Sequence, residues 1–66
     1  MKPKCKLIGE DGNIFHLMAV ASDALKKNKM SAQANEMQSR IFACGSYEEA
    51  LSIICEYVEV YWLYLG

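Results

Sequence analysis

No two cysteines in this 66-residue chain have CxxC or zinc-type spacing, and their odd total (Cys5, Cys44 and Cys55) argues against a disulfide framework. The expected state is three reduced thiols, with Cys44 and Cys55 as small buried hydrophobes among Ile41, Phe42, Leu51 and Ile54. Long apolar runs are missing too. The longest, Val60 to Leu65, is six residues against the roughly 20 that a membrane-spanning helix requires. The basic start, Met1 to Lys6, is followed by Gly9, Glu10, Asp11 and Gly12 rather than the apolar stretch of a signal peptide, so a cytoplasmic protein is expected. Neither charge is in surplus. Seven basic and eight acidic residues give a net charge of −1, with no general attraction to nucleic acid or to an anionic membrane. The signs are separated along the chain, however. Residues 1–33 carry six lysines against Glu10, Asp11 and Asp23, and residues 34–66 carry Arg40 against five glutamates.

A chain of this length forms one domain, 1–66, with a single core. Folding hides only about 60% of the surface that the unfolded chain exposes, and such a core supplies about 3 to 5 kcal/mol of net stability. With disulfides set aside and 53% hydrophobic residues, association with a second copy or a partner is the expected additional support.

The fold class is mainly α, a three-helix unit with a short N-terminal strand. Residues 4–8 alternate partly and run into the turn-forming cluster Gly9-Glu10-Asp11-Gly12-Asn13. Ile14, Leu17, Met18, Ala21 and Leu25 then form one helical stripe. The spacing predicts a helix over about 14–28, capped by Asn13, with Lys26, Lys27 and Lys29 at the negative end of its dipole. Asn28 is expected to take the left-handed conformation that ends it, and Ser31 to cap the next helix. Ala34, Met37, Ile41 and Cys44 predict a second helix over about 32–44, closed by a left-handed Gly45. Ser46 and Glu49 form a capping box for a third helix starting at Tyr47, with Leu51, Ile54, Cys55 and Val58 as its stripe. Its end is open. Either the helix continues to about residue 63, which is preferred, or it stops near Glu56 and the β-branched and aromatic tail forms a second strand beside residues 4–8.

The stretch Lys6 to Phe15, with Gly45-Ser46-Tyr47 and Tyr57-Val58-Glu59-Val60, resembles a set of short hypothetical bacterial proteins that open with a KLxGEDGN-like segment and close with YVEV. The resemblance covers about residues 4–60. It implies a bacterial, cytoplasmic origin and a compact helical unit, and it carries over no catalytic or binding residue. The tail Tyr61 to Gly66 runs past the usual end of that pattern.

No constellation points to an enzyme or a cofactor. The Gly9–Asn13 segment has neither the alternating oxygen ligands and closing glutamate of a calcium loop nor the lysine of a phosphate loop. The only histidine, His16, has no placed thiolate partner in Cys5 or Cys44. Glu48, Glu49, Glu56 and Glu59 read as a solvated helix face. By elimination, the expected function is a non-enzymatic protein-interaction module, an adaptor, regulator or inhibitor. It binds a partner or its own copy through Tyr57, Tyr61, Trp62, Tyr64 and Leu65, because Trp and Tyr bury much area at little entropic cost. The alternative is a helix-turn-helix-like DNA-binding regulator. There Lys26, Lys27 and Lys29 meet phosphates while Gln33, Asn35 and Arg40 read base edges, against the opposing charge of Glu36.

Overall fold

A computed structural model describes residues 2–8 and 12–63. The order is β1 (Lys4–Ile8), α1 (Ile14–Lys27), α2 (Ser31–Ala43), α3 (Tyr47–Tyr57) and β2 (Glu59–Leu63). All three helices form where the apolar spacing places them. Asn13 caps α1 by accepting from the amides of Phe15 and His16 at 3.1 and 3.4 Å. Ser46 caps α3, its hydroxyl oxygen accepting from the Glu49 amide at 3.1 Å. The return bond of the box is displaced by one residue, since the Glu49 carboxylate accepts from the amide of Gly45 at 3.2 Å.

The preferred continuation of α3 to residue 63 is overturned in favour of the strand. The last helical bond runs from the Val58 amide to the Ile54 carbonyl, and Val58 itself is extended. From there the chain pairs in parallel with β1, with Lys4 opposite Glu59, Cys5 opposite Val60, Lys6 opposite Tyr61 and Leu7 opposite Trp62. A bond from the Glu59 amide to the Pro3 carbonyl, 2.8 Å, opens the ladder. The tail residues that would have pointed all around a helix now alternate between two faces of a sheet, which suits Val58, Val60 and the aromatics better.

Several local expectations are also corrected. Asn28 has a negative φ, and Lys29 (φ 61°) is the left-handed residue. Helix α1 ends in a Schellman motif, with bonds from the Met30 amide to the Leu25 carbonyl (2.9 Å) and from the Lys29 amide to the Lys26 carbonyl (3.1 Å). The Asn28 side chain instead donates to the Ala24 carbonyl at 2.7 Å. Ser31 lies inside α2, whose cap residue is Met30 with no side-chain cap bond. Gly45 has no positive φ, because α2 leaves through an extended Cys44 straight into the Ser46 cap. Cys55, expected inside, is exposed, and Cys44 is half-buried.

The core joins Cys5 and Leu7 of β1 to Leu17, Met18, Ala21 and Leu25 of α1, to Ala34, Met37 and Ile41 of α2, and to Ala50, Ile53 and Ile54 of α3, with Val58 closing it. Each helix places an alanine in the interior, Ala21, Ala34 and Ala50, where a short side chain lets neighbouring backbones approach. Ser22 is the buried polar residue of the interface between α1 and α2, and its hydroxyl accepts from the Gln38 amide at 2.9 Å. That bond removes the penalty of an unsatisfied buried group. The radius of gyration is 11.0 Å, close to the value of about 10.8 Å for a single packed unit of this length.

Candidate functional site

Strand β2 carries the exposed aromatics of the C-terminal segment. Residues paired across the two strands share a face, so Val60 and Trp62 lie on the core side with Cys5 and Leu7, while Glu59 and Tyr61 lie on the outer side with Lys4 and Lys6. The core-side position does not bury Trp62. Among the described residues β2 packs most closely against β1, with Val60 half-buried against the core, and its far end at Trp62 is less covered. Trp62 is therefore 36% exposed and Tyr61, on the other face, 43%. The second edge of β2 pairs with no strand among the described residues, so its backbone donors and acceptors face outward as a template for another chain.

Tyr57, Tyr61 and Trp62 are not one surface. Tyr57 is half-buried at the end of α3 and turned toward α2. Its hydroxyl donates to the Glu36 carboxylate and accepts from the Arg40 guanidinium at 3.3 Å, which also lies 5.7 Å from the centre of its ring. Tyr64 and Leu65 lie outside the described residues, as do Gly9, Glu10 and Asp11 of the N-terminal turn.

The outer face of the sheet continues into a groove of about 750 Å³ between β1 and the C-terminal half of α1. Val20 and Ala24 contribute apolar surface to it, and Lys4, Lys6, Lys27 and Tyr61 stand around them. The Lys4 ammonium sits 5.7 Å from the Tyr61 ring centre. Lys27 is paired with Asp23 at 2.9 Å, one helical turn away, and this partner raises its pKa.

The residues of the DNA reading divide. Lys26, Lys27 and Lys29 are exposed at the end of α1, and Gln33 and Asn35 are exposed on α2. Arg40 is committed elsewhere: its guanidinium makes two bonds to the Glu56 carboxylate, 3.0 and 2.9 Å, in addition to its contact with Tyr57. Glu36 remains on the same helix, holding the Tyr57 hydroxyl.

Among the described residues the most exposed large apolar side chains are Phe15 (55%) and Phe42 (64%), neither of them expected as a site residue and Phe42 expected beside buried cysteines. They face each other across α1 and α2 with ring centroids 5.7 Å apart, beside a shallow cavity of about 250 Å³ lined by Ile14, Ile41, Tyr47 and Ala50. Their signal was present: each is a large apolar residue one position off its helix's stripe. Among the described residues no group of three or more His, Cys, Asp and Glu side chains is placed to hold a metal ion, and no helix is long and apolar enough to cross a membrane. Cys5 is buried, and that burial pushes its thiol pKa up, away from the thiolate that nucleophilic chemistry uses.

No protein-family model matches this chain, and no curated protein and no solved structure does either.

Proposed function

We propose that this chain is a non-enzymatic protein-interaction module, an adaptor, regulator or inhibitor in a bacterial cytoplasm, that engages its partner along β2 through Tyr61 and Trp62. The observation that carries the reading is the second edge of β2, which pairs with no strand among the described residues and carries the partly exposed Tyr61 and Trp62. A strand added there gains backbone hydrogen bonds along the ladder, while alternate side chains on the two faces supply selectivity. Trp and Tyr are the residues that most often dominate such interfaces, each commonly worth about 2 kcal/mol or more on truncation, or roughly 30-fold in affinity.

The competing DNA reading draws on the short turn between α1 and α2 and on the exposed Lys26, Lys27 and Lys29 beside it. It is the weaker of the two. The one guanidinium of α2 is held by Glu56, and a net charge of −1 supplies no long-range attraction to phosphate.

Affinity capture from an extract of the source cell, with and without nuclease, separates them. The interaction reading expects a protein that survives nuclease, is lost with Trp62→Ala and Tyr61→Ala, and is retained with Lys27→Ala and Gln33→Ala. Recovery of nucleic acid, with every co-purifying protein removed by nuclease and binding abolished by the Lys27 and Gln33 variants, overturns it.

A further inference from the structure

We propose that β2 pairs antiparallel with β2 of a second copy of this chain about a twofold axis at Tyr61, building a four-stranded sheet in the order β1-β2-β2-β1. The inference rests on the reading of β2 as the interaction edge and names its occupant.

The two edges of the sheet are not equivalent. β1 follows the buried Pro3 and exposes Lys4 and Lys6. Edge lysines and prolines are among the devices by which proteins block unwanted strand pairing. β2 has none of these: it contains no lysine, proline or glycine, and its single charge is at its first residue, Glu59. Parallel sheets rarely stand as two strands with a face in water, and isolated strand pairs are marginal on their own. The unguarded edge is thus where a further strand adds.

The order of residues in β2 fits its own copy. A twofold axis perpendicular to the sheet makes the added strand antiparallel and the assembly closed. Because side chains alternate, core-side residues must meet core-side residues, which requires the axis to pass through a residue rather than between two. With the axis at Tyr61, Val60 of each copy lies opposite Trp62 of the other, and Glu59 lies opposite position 63. The core-side row then reads Cys5, Val60, Trp62, Leu7 across four strands, entirely apolar, and it adds cover to Trp62, which is 36% exposed in the single chain. The outer row reads Lys6, Tyr61, Tyr61, Lys6, with the two lysines separated by the aromatic pair. No like charges are opposed, whereas an axis at Glu59 would face two carboxylates. Both outer edges of the resulting sheet are β1, so every edge of the dimer is guarded.

Sedimentation equilibrium from micromolar to millimolar concentration tests the pairing on the wild type, Tyr61→Lys, Tyr61→Glu, and an equimolar mixture of the two variants, with circular dichroism confirming that each is folded. The expected result is a wild-type dimer of twice 7.5 kDa, single variants weakened at least tenfold because like charges meet at the axis, and recovery of a heterodimer in the mixture, identified by native mass spectrometry. Failure of the mixture to recover association, or a dimer that resists both variants and dissociates with Phe42→Ser, overturns the proposal. A wild type that is monomeric throughout, while still capturing a different protein in a Trp62-dependent manner, overturns the second copy as occupant and leaves the interaction reading standing.

Discussion

Arg40 of α2 grips Glu56 of α3 through two parallel bonds, 3.0 and 2.9 Å, tying the second helix to the third at the surface. Arg40 is the only basic residue in 34–66, and it is spent inside the fold. Its guanidinium holds the Glu56 carboxyl below the usual carboxylate range, with Lys2 a smaller contributor of the same sign, while the pairing pushes Arg40 further up. A carboxyl whose folded pKa is depressed contributes stability above its unfolded value, about 4.3, and that contribution disappears as pH falls through the folded value. Urea melts of the wild type and Arg40→Gln should therefore differ at about pH 7 and converge at about pH 2, with the difference reduced by salt because both groups are exposed. A difference that persists unchanged at low pH would assign the role of Arg40 to its packing on Tyr57 instead.

Lys29 occupies a left-handed conformation, φ 61°, that costs a side-chain-bearing residue about 1 kcal/mol relative to glycine. Lys29→Gly should raise stability by up to about that amount while keeping the Met30-to-Leu25 bond that closes α1. The check is a shift of the denaturation midpoint to higher urea. A fall would mean that the Schellman turn is not what sets the end of this helix.

Leu25 and Ile54 are fully buried in the core that unites all five elements. Truncation of either to alanine should cost about 2 to 5 kcal/mol, comparable to the net stability of about 3 to 5 kcal/mol that a core this small supplies. Circular dichroism of Ile54→Ala at room temperature should show a largely unfolded chain. Leu51→Ala, on the half-buried flank of the same helix, should remain folded.

The three thiols should react in order of exposure. Cys55 is exposed, Cys44 is half-buried with its thiol donating to the Ile41 carbonyl at 3.0 Å, and Cys5 is buried with its pKa raised by that burial. Alkylation followed by peptide mass spectrometry should label Cys55 first. Cys5 should be modified only as fast as the chain opens. Rapid labelling of Cys5 in the folded protein would contradict the packing of β1 against α1.

What the sequence made legible was what is local. The i, i+3, i+4 spacing of α1, the Asn13 cap and the Ser46 cap each depend on residues within one or two turns, and each forms where expected. The phase of α3 was read less well. Ala50, Leu51, Ile53, Ile54, Cys55, Tyr57 and Val58 are nearly all apolar, so the segment has no clean stripe, and packing against α1 and α2 selects Ala50, Ile53 and Ile54 while leaving Cys55 outside. The fate of the tail was non-local: Glu59 meets Lys4 across the length of the chain. That pairing also reassigns the site, because the change from helix to strand at Val58 turns Tyr57 toward Arg40 and leaves Tyr61 and Trp62 on the open strand. The off-stripe position of Phe15 and of Phe42 is legible within each helix, whereas their contact joins two helices and is not.

The most direct test of β2 as the binding edge is site-specific photocrosslinking in the source cell, with p-benzoylphenylalanine replacing Tyr61 in one variant and Gln33 in another. Position 61 should yield protein adducts, including the covalent dimer at twice 7.5 kDa, and position 33 none. Adducts to nucleic acid from position 33, with none from position 61, would contradict β2 as the binding edge.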